Sequence, residues 1–509
     1  MGQEERKMDE RIYLVIDLKS FYASVECAAR GLDCMTTNLV VADPDRTDKT
    51  ICLAVSPSMK ALGVRNRCRV FEIPKNISYI MAEPRMQLYI DCSADIYAIY
   101  MKYVSKEDIW VYSIDEAFLD VTQYLPLYHM TARELGQTIM TDILKTKGIR
   151  ASCGIGTNMY LAKVALDITA KHAADFIGFL DEKTYRETLW DHRPITDFWR
   201  IGAGIAKRLS DVGMITMGDV AAAAGDPVKE PAAGSAEETG RDLLYRMFGI
   251  DAEFLIDHAW GRETARITDI KAYRPKANSL SNMQVLAGDY DFEKGKIIVK
   301  EMVSALCLDM LDKGVVTGSL SLWIGYSNQL RSDHPAEGFS HENRYLPGQW
   351  FADPAKGTAA LPQETNSDRI LVPAAAALYD RIVDRRLPVH RILICANNIH
   401  AETDTYQQLS LFDLLREESG GQTSGIKSGN DGNPAAETPE SLEKNRRAQE
   451  AMLSIQKKFG KNAVLKGLDL EDGATARERN AQIGGHKSGT DAAGSILPAR
   501  SEFRKGKHK

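Results

Sequence analysis

The chain has 509 residues, 44% hydrophobic and 26% charged, with 64 Lys and Arg against 70 Asp and Glu, for a formal charge of −6. This is enough apolar mass for several cores, about three to four domains by length, and no apolar run reaches the roughly 18 residues a membrane-spanning helix needs. The net charge excludes a protein coated in positive charge, but not a nucleic-acid binder, for which the local field at the contact surface matters.

The N-terminus, MGQEERKMDERIY, reads as neither a secretory signal nor a transit peptide. Ile12 to Ile16 is a short β-branched run that predicts a buried strand ending at Asp17, with a helix over Ser20–Ala29. Leu39–Val41 and Ile51–Val55 predict two strands around the polar turn Asp43–Lys49. Gln87–Ser105 has helical spacing. Trp110–Val121 predicts two strands hinged near Asp115-Glu116. Thr131–Lys147 predicts an amphipathic helix, Ala151–Ile155 a strand and Asn158–Ala174 a helix. Residues 181 to 260 read as mostly helical, with Arg200–Ile205 between two helices and a flexible insertion over Gly225–Gly240. From about 270 to 400 a smaller α/β module is expected. It has strands at Leu280–Leu286, Ser319–Tyr326 and His390–Ala396, helices at Phe292–Leu311 and Pro373–Arg386, and a polar loop of roughly 30 residues after Tyr326. Beyond about 415 the composition is low in complexity, with one helix near 442–459; residues 417–509 otherwise read as largely disordered. The eight Cys include no C-x-x-C pair and read as free thiols of a reducing cytosol, so the expected location is cytoplasmic with no membrane partner.

Asp17 ends a buried strand, and Asp115-Glu116 joins two strands. Carboxylates beside apolar strands are costly unless paired, hydrogen-bonded or bound to a cation. If the strands are neighbours, three carboxylates converge, and oxygen-only ligands suit Mg²⁺ or Mn²⁺. Adjacent strand residues point to opposite faces, so Asp115 and Glu116 reach one site only at a turn. Two ions about 3.5–4 Å apart are the usual arrangement for displacement at phosphorus. The alternative is that Asp17 caps a helix and Ser113–Glu116 is a solvated turn. Lys163, on a strand–turn–helix segment, and Lys60 and Arg65 are candidate phosphate-facing cations.

Ile16-Asp17-Leu18-Lys19-Ser20-Phe21-Tyr22-Ala23-Ser24-Val25-Glu26 resembles the first palm motif of Y-family translesion DNA polymerases. Ser113–Asp120 resembles their second catalytic motif and Gly154–Lys163 their triphosphate-lysine segment, in the same order. The likeness covers roughly residues 10 to 413 and is nearest the bacterial UmuC-like branch. It implies an α/β (α+β) multidomain right-hand polymerase: palm at 10–35 and 86–180, small fingers at 36–85, a helix-hairpin-helix thumb at 181–262, a little finger at 263–400, a clamp-binding linker at 401–416 and the tail. Asp17, Asp115 and Glu116, with the Leu18 carbonyl, would bind two Mg²⁺, for which Mn²⁺ can substitute. Tyr22 would be the steric gate against ribose, beside Phe21; Lys163 and Lys60 would hold the triphosphate. Pro57 stands where the family often has Tyr, so Arg65 is expected to contribute there. Gly202 and Gly204 would let a DNA phosphate approach a helix N-terminus, and Arg274 and Lys276 would grip the backbone. Gln408, Leu409, Leu411 and Phe412, in Gln408–Asp413, resemble the motif that docks on the bacterial sliding clamp. Implied partners are primer-template DNA, dNTPs, the clamp and other SOS or replication proteins. Two other classes are the alternatives. A nucleotide cyclase would lack its Gly-Gly acidic hairpin here, and a catalytically silent DNA-binding protein would have lost a carboxylate, whereas all three are present.

Overall fold

The computed structural model describes residues 11–226, 239–275, 278–327, 331–332, 338, 341–342, 350–404, 439–491 and 494–506. It divides into two compact units, one of Met1–Arg274, His486–Gly489 and Ile496–Lys509, the other of Pro275–Gly485 and Thr490–Ser495. The clamp-motif residues Gln408, Leu409, Leu411 and Phe412, Lys276, and most of the Gly225–Gly240 insertion lie outside the described residues.

In the first unit, β1 (Tyr13–Leu18) leads into α1 (Phe21–Ala28). Ser20, between them, has a positive φ of 48°, which sets a sharp corner directly after Asp17-Leu18-Lys19. A small sheet follows, from β2 (Leu39–Val41) and β3 (Ala54–Val55), the short helix α2 (Pro57–Ala61) and β4 (Tyr79–Ala82). Helix α3 (Met86–Tyr100), β5 (Ile109–Val111), β6 (Glu116–Asp120), α4 (Ala132–Lys147), β7 (Ala151–Gly156), α5 (Met159–Val164) and β8 (Ile177–Leu180) complete the main sheet, ordered β5-β6-β1-β7-β8. Strand β1 is central because it is apolar on both faces: Leu14, Val15 and Ile16 are fully buried. The expected helix over Asn158–Ala174 is α5, continued by a π turn over Ala165–Thr169 and a 3₁₀ turn over Ala170–His172. Asn158 caps α5 by accepting from the Leu161 N–H. Helices α6 (Glu182–Leu189), α7 (Ala203–Ser210), α8 (Met217–Ala224), α9 (Gly240–Phe248) and α10 (Asp251–Ala259) share a core of Leu209, Met217, Val220, Leu244 and Ile256. The first unit runs on to Arg274, and within it Ile267 is buried with Tyr13, Val15 and Phe118.

In the second unit, β9 (Ser279–Tyr290), α11 (Phe292–Lys313), β10 (Val315–Tyr326), β11 (Ala355–Thr365), α12 (Asp368–Ile382) and β12 (Val389–Asn397) form a sheet ordered β11-β10-β12-β9 under two helices. Strand β11 was not expected from the sequence. Its AKGTAALPQET is poor in β-branched residues and includes Pro362, a composition tolerated at a sheet edge.

The C-terminal region carries the expected helix, α13 (Pro439–Phe459), but its described residues continue in defined structure where composition reads as disordered. They dock by polar contacts. In the second unit, the buried Glu301 carboxylate accepts the backbone N–H groups of Thr475 and Ala476 at 3.0 Å each, and Asn445 donates to Ser367 and Asp368. In the first unit, β13 (Ser501–Arg504) pairs antiparallel with β4. No described helix is long and apolar enough to cross a membrane.

Candidate active site

Pairing of β1 with β6 puts Asp17 directly opposite Glu116, and pairing of β1 with β7 puts it opposite Ser152. The Leu18 N–H donates to the Asp115 carbonyl at 2.9 Å, tying the Asp115 turn to the end of β1. The turn solves the two-face problem: Tyr112 and Ser113 N–H groups both fold back onto the Glu116 carbonyl. Asp115 Oδ1 accepts from the Ser113 hydroxyl at 2.6 Å. The three carboxylates act on one another electrostatically. Burial, then Asp115, then Glu116 push the Asp17 carboxyl up to about 7, against the opposing pull of Lys163. Glu116 is raised by burial, and Lys163 opposes the shift.

Lys163 is buried and ion-paired with Glu116 at 2.8 Å and Asp167 at 3.2 Å. Burial alone would lower its ammonium; Glu116 and Asp167 carry it above the ordinary lysine value. Its reach depends on two glycines. A Cβ at Gly154 would lie 2.0 Å from the Ala162 oxygen, and one at Gly156 2.2 Å from the Ala162 nitrogen. Only bare backbone at those positions lets α5 lie this close to β7.

Oxygen-only donors at the meeting of these strands, one of them with its carboxyl pushed up by burial and then by its two carboxylate neighbours, fit hard divalent cations. The three are not drawn into a single cage. Among the described residues, the trio whose oxygens all lie within 4.8 Å of one another is Asp43, Asp45 and Glu83. The Lys487 ammonium fills that cluster, 3.1 Å from Asp43, 2.5 Å from Glu83 and also paired with Asp45.

The other expected residues divide into near and far. Lys60, on α2, is close enough for Asp17 to oppose the lowering of its ammonium. Phe21 is buried, and Tyr22 is half-buried, its phenol raised by burial and then by the Asp115 charge. Leu18 is buried at the end of β1, opposite Ala151. Arg65 is exposed and pairs with Glu72 at 3.5 Å. Gly202 caps α7 in extended conformation with no side-chain cap bond, and the space beside Gly202 and Gly204 is open. Arg274 is exposed and donates to the Lys271 carbonyl at 2.6 Å. Sequence reasoning missed Lys19 and Lys171. Asp17 acts on Lys19, and Lys171 acts on both Lys19 and Lys60. The one sequence cue was Lys19's place two residues after Asp17.

The model of the impB/mucB/samB family matches residues 16–167, and that of the family's C-terminal domain matches 277–411. UV-damage repair protein UvrX of Bacillus subtilis is 28% identical over 478 residues, 93% of this chain and 97% of that protein. DNA polymerase IV 2 of the same organism is 27% identical over 94% of this chain and 99% of its own length. DNA repair protein homolog YozK, also from Bacillus subtilis, is 36% identical over 103 residues, 20% of this chain and 90% of that one. A Y-family DNA polymerase chimera of Dbh and Dpo4 shares the fold with a TM-score of 0.52 at 18% identity, covering 77% of this chain and 99% of its own. The chain therefore belongs to the impB/mucB/samB family, the UmuC-like Y-family of DNA-directed DNA polymerases.

Proposed function

We propose that this enzyme is a low-fidelity translesion polymerase that inserts dNTPs opposite damaged bases, with Asp17, Asp115 and Glu116 holding two divalent cations, Mg²⁺ in the cell. The observation that carries the reading is the pairing of Asp17 with Glu116, with the Asp115 turn bonded to the end of β1. Bound cations would neutralise the three carboxylates, activate the primer 3′-OH and offset charge on the leaving pyrophosphate.

The remaining work falls to the chain. Lys163, with Lys60 and the neighbouring Lys19 and Lys171, holds the triphosphate oxygens and balances their charge. In the free enzyme Lys163 serves as counter-ion to Glu116; arrival of cations and triphosphate gives both groups better partners. Tyr22, with Phe21 buried beside it, excludes a ribose 2′-OH. Arg65, held by Glu72 on an exposed loop, supports at most a long-range charge contribution to the nucleotide. The uncapped α7 N-terminus, with Gly202 and Gly204 bare, accepts a DNA phosphate, and Arg274 and Lys276 add charge for the backbone. Gln408, Leu409, Leu411 and Phe412 tether the enzyme to the sliding clamp, which raises its effective concentration at the primer end. The work is done in the cytoplasm, beside other SOS or replication proteins.

The test is primer extension on templates with an abasic site or a pyrimidine dimer, with and without the clamp. The reading predicts extension across the lesion; extension on intact template alone would contradict it.

A further inference from the structure

Behind Tyr22 lies a buried charged network that has no part in the chemistry above. The Tyr22 ring stacks on Tyr89, centroids 4.6 Å apart and planes 19° from parallel. Tyr89 is fully buried, and its hydroxyl is held from two sides: it donates to Glu26 Oε1 at 2.8 Å and accepts from the Arg85 N–H at 3.1 Å. Glu26, also 0% exposed, receives a forked pair from Arg85, Nε at 3.0 Å and Nη2 at 2.9 Å, and pairs with Arg30 as well. Such a carboxylate is tolerable only while its partners stay in place.

The C-terminal segment closes this network from outside. Arg85 Nη1 donates to the Leu497 carbonyl at 3.2 Å, and Arg30 Nη2 to the Arg500 carbonyl at 3.1 Å. The Leu497 N–H donates to the Gly489 carbonyl at 2.8 Å. Gly489 has φ +73°, and a Cβ there would lie 2.6 Å from the Arg85 Cβ and Cγ. Lys487, in the Asp43–Asp45–Glu83 cluster, and β13, on β4, anchor the segment on either side.

We infer that the C-terminal residues Lys487–Gly489 and Leu497–Arg504 take part in sugar selection: acting through Arg85, Glu26 and Tyr89, they fix the ring of Tyr22. Arg85 and Tyr89 are positioning residues. The inference rests on the reading of Tyr22 as the steric gate and goes beyond it. A gate excludes a 2′-OH only while it cannot swing aside, and a ring stacked on a locked ring has lost that freedom. The segment supplies carbonyl acceptors to the two arginines that hold Glu26.

The experiment is single-nucleotide incorporation by the full chain, with the ratio of kcat/KM for dNTP over rNTP as readout. Tyr22→Ala should collapse the ratio. Tyr89→Leu should lower it roughly two- to tenfold, the worth of one aromatic pair, and Tyr89→Phe by less, since it keeps the ring and loses only the bond to Glu26. Gly489→Val, whose added side chain would meet Arg85 first, should lower the ratio through a smaller KM for rNTP while kcat for dNTP stays within about twofold of the parent. An unchanged ratio in Gly489→Val, whatever Tyr89→Leu does, beside a Tyr22→Ala enzyme that admits rNTPs, would overturn the inference and leave the gate standing. A Tyr22→Ala enzyme that still excludes rNTPs would remove the gate and the inference with it. If Tyr89→Leu fails to fold, Gly489→Val decides alone.

Discussion

Asp17→Asn should abolish polymerisation and yet, in the metal-free protein, gain stability on the parent as pH rises. The Asp17 carboxyl is raised from 3.8 to about 7 by burial and by Asp115 and Glu116. The native state therefore holds this proton more tightly than the unfolded chain, and ionising it costs stability. The cost is absent below pH 4, grows as pH rises towards 7 and is complete above it. At about 1.36 kcal/mol per pH unit, the full cost is about 4 kcal/mol, less than half of which has appeared by pH 5. An Asn in the same place carries no charge but leaves a buried amide, a pH-independent cost of about 1–3 kcal/mol. The difference between pH 5 and pH 8 is free of that constant: the variant should gain about 2–3 kcal/mol on the parent across this interval. Urea unfolding in the presence of a chelator, followed by Trp fluorescence, measures it. A gain that does not vary with pH, or a variant that loses stability relative to the parent as pH rises, would refute the placement of Asp17 among unneutralised carboxylates.

Lys163→Ala should lower kcat/KM for dNTP by about 10–100-fold, the worth of a charge-assisted phosphate contact; steady-state incorporation at varied dNTP measures it, and a change confined to stability would make Lys163 a purely structural counter-ion. Leu409→Ala with Phe412→Ala should remove stimulation by the sliding clamp and leave the clamp-free extension rate as it was; primer extension with added clamp reads both. Gly156→Val must push α5 away from β7, since its Cβ would lie 2.2 Å from the Ala162 nitrogen. It should cost at least about 1–3 kcal/mol and raise KM for dNTP by displacing Lys163, seen in thermal unfolding and in nucleotide titration.

The main sheet was legible because its central strands are continuous apolar runs: Leu14–Ile16 and Phe118-Leu119 have no solvent face to disguise them. The carboxylates were legible for the same reason, as charges set against those runs. What escaped the sequence lacks such contrast. Strand β11 is small, polar and at an edge. The C-terminal residues have few apolar side chains, and they dock through contacts such as Glu301 to the Thr475 N–H and Lys487 to Asp43, which depend on groups far away in the chain. Lys19 and Lys171 carry no pattern that marks them in the sequence, because only the fold sets Lys19 beside Asp17 and Lys171 beside Lys19. Glu26, Arg85 and Tyr89 sit on the buried faces of α1 and α3 or beside them, and helical spacing reports that a face is buried without reporting that it is charged.

The most direct test of the central claim is single-turnover nucleotide incorporation by Asp115→Asn and Glu116→Gln across a Mg²⁺ titration. If the three carboxylates hold the catalytic cations, each variant loses several kcal/mol of transition-state stabilisation, about a thousandfold or more in rate, and needs more Mg²⁺ to reach its maximum. A rate within a few-fold of the parent at the same Mg²⁺ dependence, for either variant, would contradict it.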